Sequence, residues 1–220
     1  LLDMAKDAVD LLDALYIPKA HIIGTSMGGA IAQLMAVHFS EKVQTLNLIA
    51  TTCDLRNLVQ AILEEPLHCL PRPSPSDECL RWISYFSVHQ NHLTWVQKIR
   101  AQLDGWKMLN GPEVPFDKNY YSKMLFKTIW RQGSYNVLLN HVSALVASVD
   151  MVLHTQGKIR VPTLIFQGKK DPIFPQAHGE FLSQTISQAE FCLIDRMGHN
   201  LNACFHDTIL RKISAFLEKH

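Results

Sequence analysis

Gly24-Thr25-Ser26-Met27-Gly28-Gly29 is the stretch around which the rest of the chain is organised. It follows the apolar run Ala20-His21-Ile22-Ile23 and precedes residues 30–39, which are almost wholly apolar and free of Gly and Pro. A strand, the pattern G-x-S-x-G and a helix, in that order, are typical of a tight turn that holds a serine strained at its apex. The hydroxyl of that serine is lifted clear of the sheet, so the stretch predicts Ser26 as a nucleophile.

The residues around this turn carry further expectations. Because the positions two before and two after the serine crowd each other, we expect a Cβ at Gly24 or at Gly28 to clash. The backbone N–H of Met27, at the start of the helix, is expected to point to the place where an oxyanion forms. The alternative is a plain Gly-rich turn with an incidental serine, and the flanking strand and helix argue against it.

The composition limits the classes of function. The 220 residues, 47% of them apolar, can bury one large core or a core with a smaller insertion. A formal net charge of +1, without a basic cluster interleaved with aromatic residues, argues against nucleic-acid and membrane-surface binding. No apolar run reaches membrane-spanning length. Five cysteines without C-x-x-C spacing favour reduced thiols in a cytoplasmic protein, with Cys69 and Cys79 the only nearby pair.

Helical and strand patterns alternate in the first 52 residues and again after residue 157. This alternation with short connections predicts an α/β fold with a parallel sheet flanked by helices. The helices are expected at residues 1–15, 28–39, 176–186 and 205–217, and the strands at residues 21–24, 43–50, 163–166 and 189–194.

The middle of the chain, residues 53–157, has no convincing strand pattern. Pro and Gly break it into helical patterns instead, and Ser76 or Asp77 is expected to cap one of them. All four tryptophans lie in this segment. This indicates a helical insertion that covers a site, between core segments 1–52 and 158–220. The alternative is that the tryptophans form a small core of the insertion itself. The helices are expected at residues 55–63, 79–88, 93–103, 120–130 and 135–149.

A serine hydroxyl is a weak nucleophile unless a base takes its proton, and the base needs an acid that orients it. In the fold that the turn indicates, the chain order is serine, acid and histidine, each in a loop at the carboxyl end of a strand. Asp171 follows the strand at residues 163–166, and His199 follows the strand at residues 189–194. The predicted catalytic residues are therefore Ser26, Asp171 and His199.

Two other acidic residues, Asp195 and Asp54, fit the orienting role less well than Asp171. Asp195 is only four residues before His199, a poor span for orienting its ring, and is interpreted as a turn or salt-bridge residue. Asp54, after the second strand, is the best substitute if Asp171 before Pro172 serves only an Asp-Pro turn.

Several motifs along the chain carry a resemblance to a known family. They are Gly24-Thr25-Ser26-Met27-Gly28-Gly29, Val161-Pro162-Thr163-Leu164-Ile165 with Gly168, Asp171-Pro172-Ile173 with Pro175, His178-Gly179 and Leu182, and Met197-Gly198-His199-Asn200-Leu201. With these motifs the sequence resembles the α/β-hydrolases over nearly its whole length, and the branch of aclacinomycin methylesterase-like hydrolases most closely.

The resemblance implies a helical cap between two core segments, and it implies that His178 and Gly179 are structural. It also implies about four strands before the first helix and a His-Gly loop that supplies a second oxyanion donor. Neither precedes Leu1, so a fragment of a longer protein, or a chain that pairs with another, is expected.

The expected function is a serine hydrolase that cleaves carboxylic esters through an acyl-enzyme. Ser26 attacks, His199 acts as base and then acid, Asp171 orients it, and the Met27 N–H stabilises the oxyanion. No cofactor or metal is implied, because the histidines lack paired ligand spacing. The substrate is expected to be a small ester with an apolar group, and the oligomeric state is left open. Lactonase, C–C hydrolase, perhydrolase and acyltransferase activities use the same residues, and an inactive or partner-binding remnant is the alternative from another class.

Overall fold

The computed structural model describes residues 1–63, 71–89, 92–133 and 137–220, and for residues 87, 88, 132, 137–140 and 142 only the backbone. Within these ranges the α/β pattern is confirmed, with element bounds mostly within one or two residues of the expected ones. The strands are β1 (Ala20–Thr25), β2 (Val43–Ile49), β3 (Thr163–Gly168) and β4 (Ala189–Ile194). The helices are α1 (Leu2–Ala14), α2 (Met27–His38), α3 (Arg56–Ile62), α4 (Asp77–His89), α5 (Trp95–Leu109), α6 (Lys118–Gln132), α7 (Val137–Val146), α8 (Val149–Leu153), α9 (Ala177–Thr185) and α10 (His206–Leu217).

The four strands form one parallel sheet in the order β1-β2-β3-β4. Parallel sheets are covered on both faces, which explains why all six residues of β3 are buried. β1 is an edge among the described strands, and its Ile23 side chain is 54% exposed. Because the strands are parallel, the loops that follow β1, β3 and β4 emerge at the same end of the sheet.

Alternating side chains of the sheet contact two separate layers of helices. Ile165 belongs to the core cluster shared with α1, α2 and α9, whereas Leu164 and Phe166 belong to the cluster shared with α10. Within α2 the buried Gln33 amide donates to Gly29 O at 3.2 Å and to Thr52 O at 3.1 Å, which satisfies the one polar side chain at the centre of this apolar helix.

No strand occurs among the described residues between 53 and 157, and the helices there have recognisable ends. Ser76 Oγ accepts from Cys79 N at 3.2 Å, so Ser76 rather than Asp77 caps α4. Thr94 and Gln97 form a reciprocal capping box at the start of α5. Gly133, at a φ of 61°, ends α6 in the left-handed conformation.

Two expectations for this segment need correction, and a third falls partly outside the described ranges. The single helix expected at residues 135–149 is two helices, because α7 ends at Val146 and α8 begins at Val149. α5 runs six residues beyond its expected end, since Gly105 does not break it: Trp82 packs against the space where a Cβ would lie. Cys69 lies outside the described residues, and Cys79 is a free thiol. Among the described residues, none of the helices combines the length and apolar character that a bilayer crossing requires.

Candidate active site

Ser26 occupies a strained turn between β1 and α2. Its φ of 53° and ψ of −122° lie in a region that non-glycine residues rarely adopt. Ser26 N donates to Ile49 O at 3.0 Å, and Thr51 Oγ1 donates to Ser26 O at 2.6 Å, so β2 and the residues after it hold both sides of the turn. The turn therefore has the strained backbone that the G-x-S-x-G pattern predicts.

Of the two glycines expected to be crowded in the turn, Gly24 is crowded and Gly28 is not. A Cβ at Gly24 would overlap the Gly28 backbone, as predicted. The expectation for Gly28 is wrong: apart from its chain neighbours and the backbone of its own helix, no described atom lies within 4 Å of the position that its Cβ would occupy. The second crowded position is instead Gly29, whose Cβ would lie 2.6 Å from the Thr51 side chain. This closeness lets the Thr51 hydroxyl reach the Ser26 carbonyl.

Ser26, His199 and Asp171 form one continuous line of contacts. Ser26 Oγ lies 2.9 Å from His199 Nε2, and His199 Nδ1 lies 2.9 Å from Asp171 Oδ2. Because the Asp171 carboxylate accepts a hydrogen bond, Nδ1 of His199 carries the proton and Nε2 is free to accept from the Ser26 hydroxyl. Three residues from three loops are thus brought to hydrogen-bonding distance at one end of the sheet.

Asp171 is held by the loop that follows it. Its Oδ1 accepts from Ile173 N at 2.8 Å and from Phe174 N at 2.9 Å, so the Asp-Pro turn also fixes the carboxylate. Gln167 Nε2 donates to Asp171 Oδ2 at 3.2 Å and to Phe174 O at 2.7 Å. The Gln167 amide thus holds the oxygen that faces His199, and the two backbone N–H groups hold the other oxygen.

His199 is held partly by the helical segment. Its backbone N–H donates to Leu109 O at 2.7 Å, and Asn200 N donates to the same carbonyl at 3.1 Å. Gly198 packs directly on the backbone of residues 109–111, where a Cβ would overlap Leu109 O. The Phe174 ring lies edge-on to the imidazole, with 5.6 Å between the centroids. The backbone at the end of α5 therefore positions His199 relative to the sheet.

The other candidate residues are engaged elsewhere. The Asp54 carboxylate is paired with Arg56 and Arg72 at 2.8 and 2.9 Å. Asp195 is exposed and pairs with Lys169 at 2.8 Å, in agreement with its interpretation as a salt-bridge residue.

The buried His178 contacts Thr52 Oγ1 through Nδ1 at 2.7 Å and donates from Nε2 to Pro73 O at 3.0 Å. Burial lowers the pKa of His178, consistent with a neutral ring that joins the Pro-rich loop to the sheet.

The backbone N–H of Met27 begins the twelve-residue helix α2, directly after Ser26. No hydrogen bond from this N–H is found to any part of the chain that the structure describes. The first N–H groups of a helix lack intrahelical partners, and the helix dipole concentrates partial positive charge there. The Met27 N–H, the predicted oxyanion donor, is thus free to donate a hydrogen bond to a ligand oxygen.

A cavity of about 290 Å³ opens above Ser26 and His199. Two of the four tryptophans, Trp82 and Trp106, line it, whereas Trp95 and Trp130 are 48% and 83% exposed and belong neither to the cavity nor to a buried core. The described lining residues are Ser26, Leu58, Ile62, Trp82, Ile83, Phe86, Gln102, Trp106, Leu109, His141, Leu145, Ile173, His199 and Asn200.

Sequence reasoning missed several residues of this site. Gln167 carries a signal in retrospect, because a polar residue within a buried parallel strand needs a partner. His141 in the apolar helix α7 is a similar signal. Thr51 and Leu109 act through a hydroxyl and a backbone carbonyl whose positions only the folded chain defines. In the described ranges no group of three or more His, Cys, Asp or Glu side chains is arranged to hold a metal ion.

Comparisons with known proteins give the family. A family model described as the α/β hydrolase fold matches residues 1–203. A rhodomycin D methylesterase of Streptomyces peucetius is 26% identical over 216 residues, which cover 97% of this chain and 72% of that protein.

Solved structures agree in fold. A meta-cleavage product hydrolase of Pseudomonas fluorescens superposes with a TM-score of 0.68 at 18% identity, over 99% of this chain and 72% of that one. A 2-hydroxy-6-oxo-6-phenylhexa-2,4-dienoate hydrolase of Rhodococcus also has a TM-score of 0.68 at 18% identity, over 97% of this chain and 69% of that one. The chain therefore belongs to the α/β-hydrolase fold family, as a hydrolase-type enzyme related to the methylesterases of that family.

Proposed function

We propose that the protein hydrolyses carboxylic esters through an acyl-enzyme, with Ser26 as the nucleophile. His199 acts as general base and then acid, and Asp171 orients it. The observation that carries the proposal is the pair of 2.9 Å contacts from Ser26 Oγ through the His199 ring to Asp171 Oδ2. The similarity to a methylesterase supports an ester as the substrate.

The proposed reaction has two halves. Ser26 Oγ attacks the ester carbonyl carbon while its proton passes to His199 Nε2. The tetrahedral intermediate, whose oxyanion accepts from the Met27 N–H, collapses as His199 gives the proton to the departing alcohol. Water then attacks the acyl-enzyme and gives a proton to His199, and the acid is released as that proton returns to Ser26.

In this proposal residues 53–157 are a helical cap over a core formed by residues 1–52 and 158–220. The cavity supports this division, because helices α3, α4, α5 and α7 supply most of its lining. Trp82 and Trp106 provide broad apolar surface on the cap side. The substrate is therefore a small ester with an apolar acyl or alcohol group.

The charge of the cavity favours a neutral ester over a C–C hydrolase substrate of the dienoate kind, which carries a carboxylate. No lysine or arginine is found among the described lining residues. A carboxylate moved from water into such surroundings loses hydration without gaining a counter-charge, which costs several kcal/mol. Among the reactions that the same three residues support, neutral ester hydrolysis fits the cavity best.

Labelling with a fluorophosphonate tests the nucleophile. We expect the protein to be modified at Ser26, located by peptide mass spectrometry, and to lose ester hydrolysis in step with labelling. Ser26→Ala is expected to abolish both, whereas Ser187→Ala, which changes an exposed serine, leaves both unchanged. Label on another serine, or hydrolysis that survives Ser26→Ala, would contradict the proposal.

A cytoplasmic location belongs to the same proposal. Cys53, Cys79, Cys192 and Cys204 are free thiols, as expected in a reducing compartment. Burial raises the pKa of Cys53 and of Cys79 to about 12, so both stay protonated and unreactive. Fractionation of cells followed by immunodetection tests the location.

A further inference from the structure

Three polar side chains of the cavity, those of Gln102, His141 and Asn200, lie outside the Ser26–His199–Asp171 line. Gln102 projects from α5 and His141 from α7, and both are half-buried in the cavity lining. The third such side chain, Asn200, is already engaged, since its Nδ2 donates to Trp106 O at 2.8 Å. For Gln102 and His141 no hydrogen-bond partner is found in the described part of the chain.

The surroundings of Gln102 and His141 are apolar. Gln102 lies one helical turn before Trp106 on α5, and His141 lies one turn before Leu145 on α7, so each polar group has an apolar neighbour on the same face. A ligand that fills the cavity removes water from both side chains. A polar group that loses its water without gaining a hydrogen-bond partner raises the free energy of binding. The cavity therefore favours ligands that offer a hydrogen-bond partner to the Gln102 amide and the His141 imidazole.

The charge state of His141 restricts what that partner is. Burial lowers the pKa of His141, and the neighbouring His199 lowers it further, so the ring is neutral near pH 7. The described lining holds no acidic or basic side chain other than its two histidines. A neutral imidazole and an amide each offer one donor and one acceptor function, which suits a hydroxyl or a ketone rather than an anion.

We propose that Gln102 and His141 form a polar subsite that binds a neutral hydroxyl or ketone group of the substrate other than its scissile ester. This subsite rests on the proposed function, since it is the ester bound at Ser26 that extends into the cavity. It defines the substrate class more narrowly: an apolar, aromatic-sized ester that carries a second, hydrogen-bonding group. An analogue without this hydroxyl or ketone removes water from the amide and the imidazole but gives them no hydrogen-bond partner, so it is bound less tightly.

A matched pair of esters tests the subsite by kinetics. Methyl 6-hydroxy-2-naphthoate and methyl 2-naphthoate differ only in a hydroxyl at the end opposite the ester. We expect kcat/KM to favour the hydroxylated ester by roughly tenfold in the wild-type protein, as for one or two good hydrogen bonds. His141→Phe and Gln102→Leu are each expected to lower that ratio, and the double variant to bring it to about one, mainly through KM. His154→Phe, which changes an exposed histidine outside the cavity, serves as the matched control and keeps the tenfold ratio.

Binding of ketone analogues separates failure of the subsite from failure of the proposed function. The methyl ketones 6-hydroxy-2-acetonaphthone and 2-acetonaphthone cannot be hydrolysed, and their affinities are measured by calorimetry with folded variants checked by circular dichroism. Tenfold tighter binding of the hydroxylated ketone, lost in the double variant, supports the subsite even if Ser26 is not labelled by a fluorophosphonate. Equal affinities in the wild-type protein, or a preference that survives in the double variant, overturn the subsite even if Ser26 is labelled.

Discussion

Asp54 and Asp171 are two buried aspartates that follow neighbouring strands of the sheet, yet their surroundings are opposite. Asp54 comes after β2 and is 3% exposed, and Asp171 comes after β3 and is 5% exposed. Asp54 faces two guanidinium groups, whereas Asp171 faces an imidazole, an amide and two backbone N–H groups. The difference separates a carboxylate that stabilises the fold from one that is suited to orienting a base.

Around Asp54 the partners are permanently charged. Arg56 Nε and Nη2 donate to its two oxygens at 2.8 Å each, and Arg72 Nε donates at 2.9 Å. Burial alone raises the pKa of Asp54, but the hydrogen bonds from the two arginines outweigh it and lower the pKa to about 2. Arg72 also lies 3.8 Å from the centre of the Phe181 ring. The Pro-rich loop that carries Arg72 is thereby tied to β2 and α9.

Among the described residues, the titratable group that hydrogen-bonds to Asp171 is His199, whose other nitrogen faces Ser26 Oγ. An arginine in place of this imidazole would neutralise the carboxylate without passing a proton anywhere, because a guanidinium stays charged. Burial and a position at a strand end therefore do not by themselves suit an aspartate to orienting a base. A hydrogen-bond partner that can gain and lose a proton, as an imidazole can and a guanidinium cannot, does.

The strongest test of this comparison is Asp171→Asn. The amide cannot stabilise the imidazolium and favours the wrong tautomer of His199, so we expect kcat for ester hydrolysis to fall by about 10⁴-fold with little change in KM. Steady-state kinetics on a methyl ester measure the effect, and Asp54→Asn is the matched variant, expected to keep kcat within a few-fold. A larger loss of kcat in Asp54→Asn than in Asp171→Asn would reverse the two assignments.

The second test measures the stability of the fold instead of the activity. Asp54→Asn leaves Arg72, whose side chain is 12% exposed, without its anionic partner. We expect the free energy of unfolding in urea to fall by about 2–3 kcal/mol at pH 7. Asp195→Asn breaks an exposed pair with Lys169 and is expected to leave the unfolding curve unchanged. An Asp54→Asn protein as stable as the wild type would show that the arginine pairs do not stabilise the fold.

The third test uses pH. Because the folded pKa of Asp54 is lowered to about 2, its stabilisation is fully present above the unfolded pKa near 4 and is lost as the pH falls towards 2. The difference in unfolding free energy between wild type and Asp54→Asn is therefore expected to be constant from pH 7 to pH 5 and to shrink below pH 4. Urea titrations at matched pH values measure it. A difference that grows as the pH falls would mean that another group dominates.

The smallest effect concerns Gln167, which steadies Asp171. Gln167→Met keeps the volume but removes the donor to Asp171 Oδ2 and to Phe174 O, so we expect kcat to fall roughly three- to tenfold. Gln188→Met, at an exposed glutamine outside the site, is the control and should not change kcat. If Gln167→Met lowers stability without changing kcat, the amide supports the loop but not the orientation of Asp171.

The sequence predicted the sheet, its helices and the meeting of Ser26, Asp171 and His199, because these depend on local patterns and on the shared carboxyl edge of parallel strands. It was wrong about Gly28, since the crowding arises at Gly29 from Thr51, a residue twenty-two positions later. The proton-transfer roles themselves stay predictions until the variants above are measured.

Long-range pairing explains most of what the sequence could not predict. Asp54 was a plausible substitute acid because Arg72, eighteen residues away, is invisible as its partner without the fold. The break between α7 and α8 has no Pro or Gly to signal it, since residues 146–149 read Val-Ala-Ser-Val. The polar lining residues Gln102 and His141 come from helices whose packing faces only the tertiary structure defines.

The contact between Gly198 and the end of α5 matters when the helical segment is exchanged between related chains. Leu109 O, which anchors the backbone of His199 and Asn200, belongs to the helical segment and not to the sheet. A recombination that replaces residues 53–157 as one block would therefore change the backbone that anchors His199 together with the helices that line the cavity. Chimeras that keep residues 109–111 of the recipient separate these two changes, because most of the cavity lining is exchanged while the backbone contact to His199 is kept.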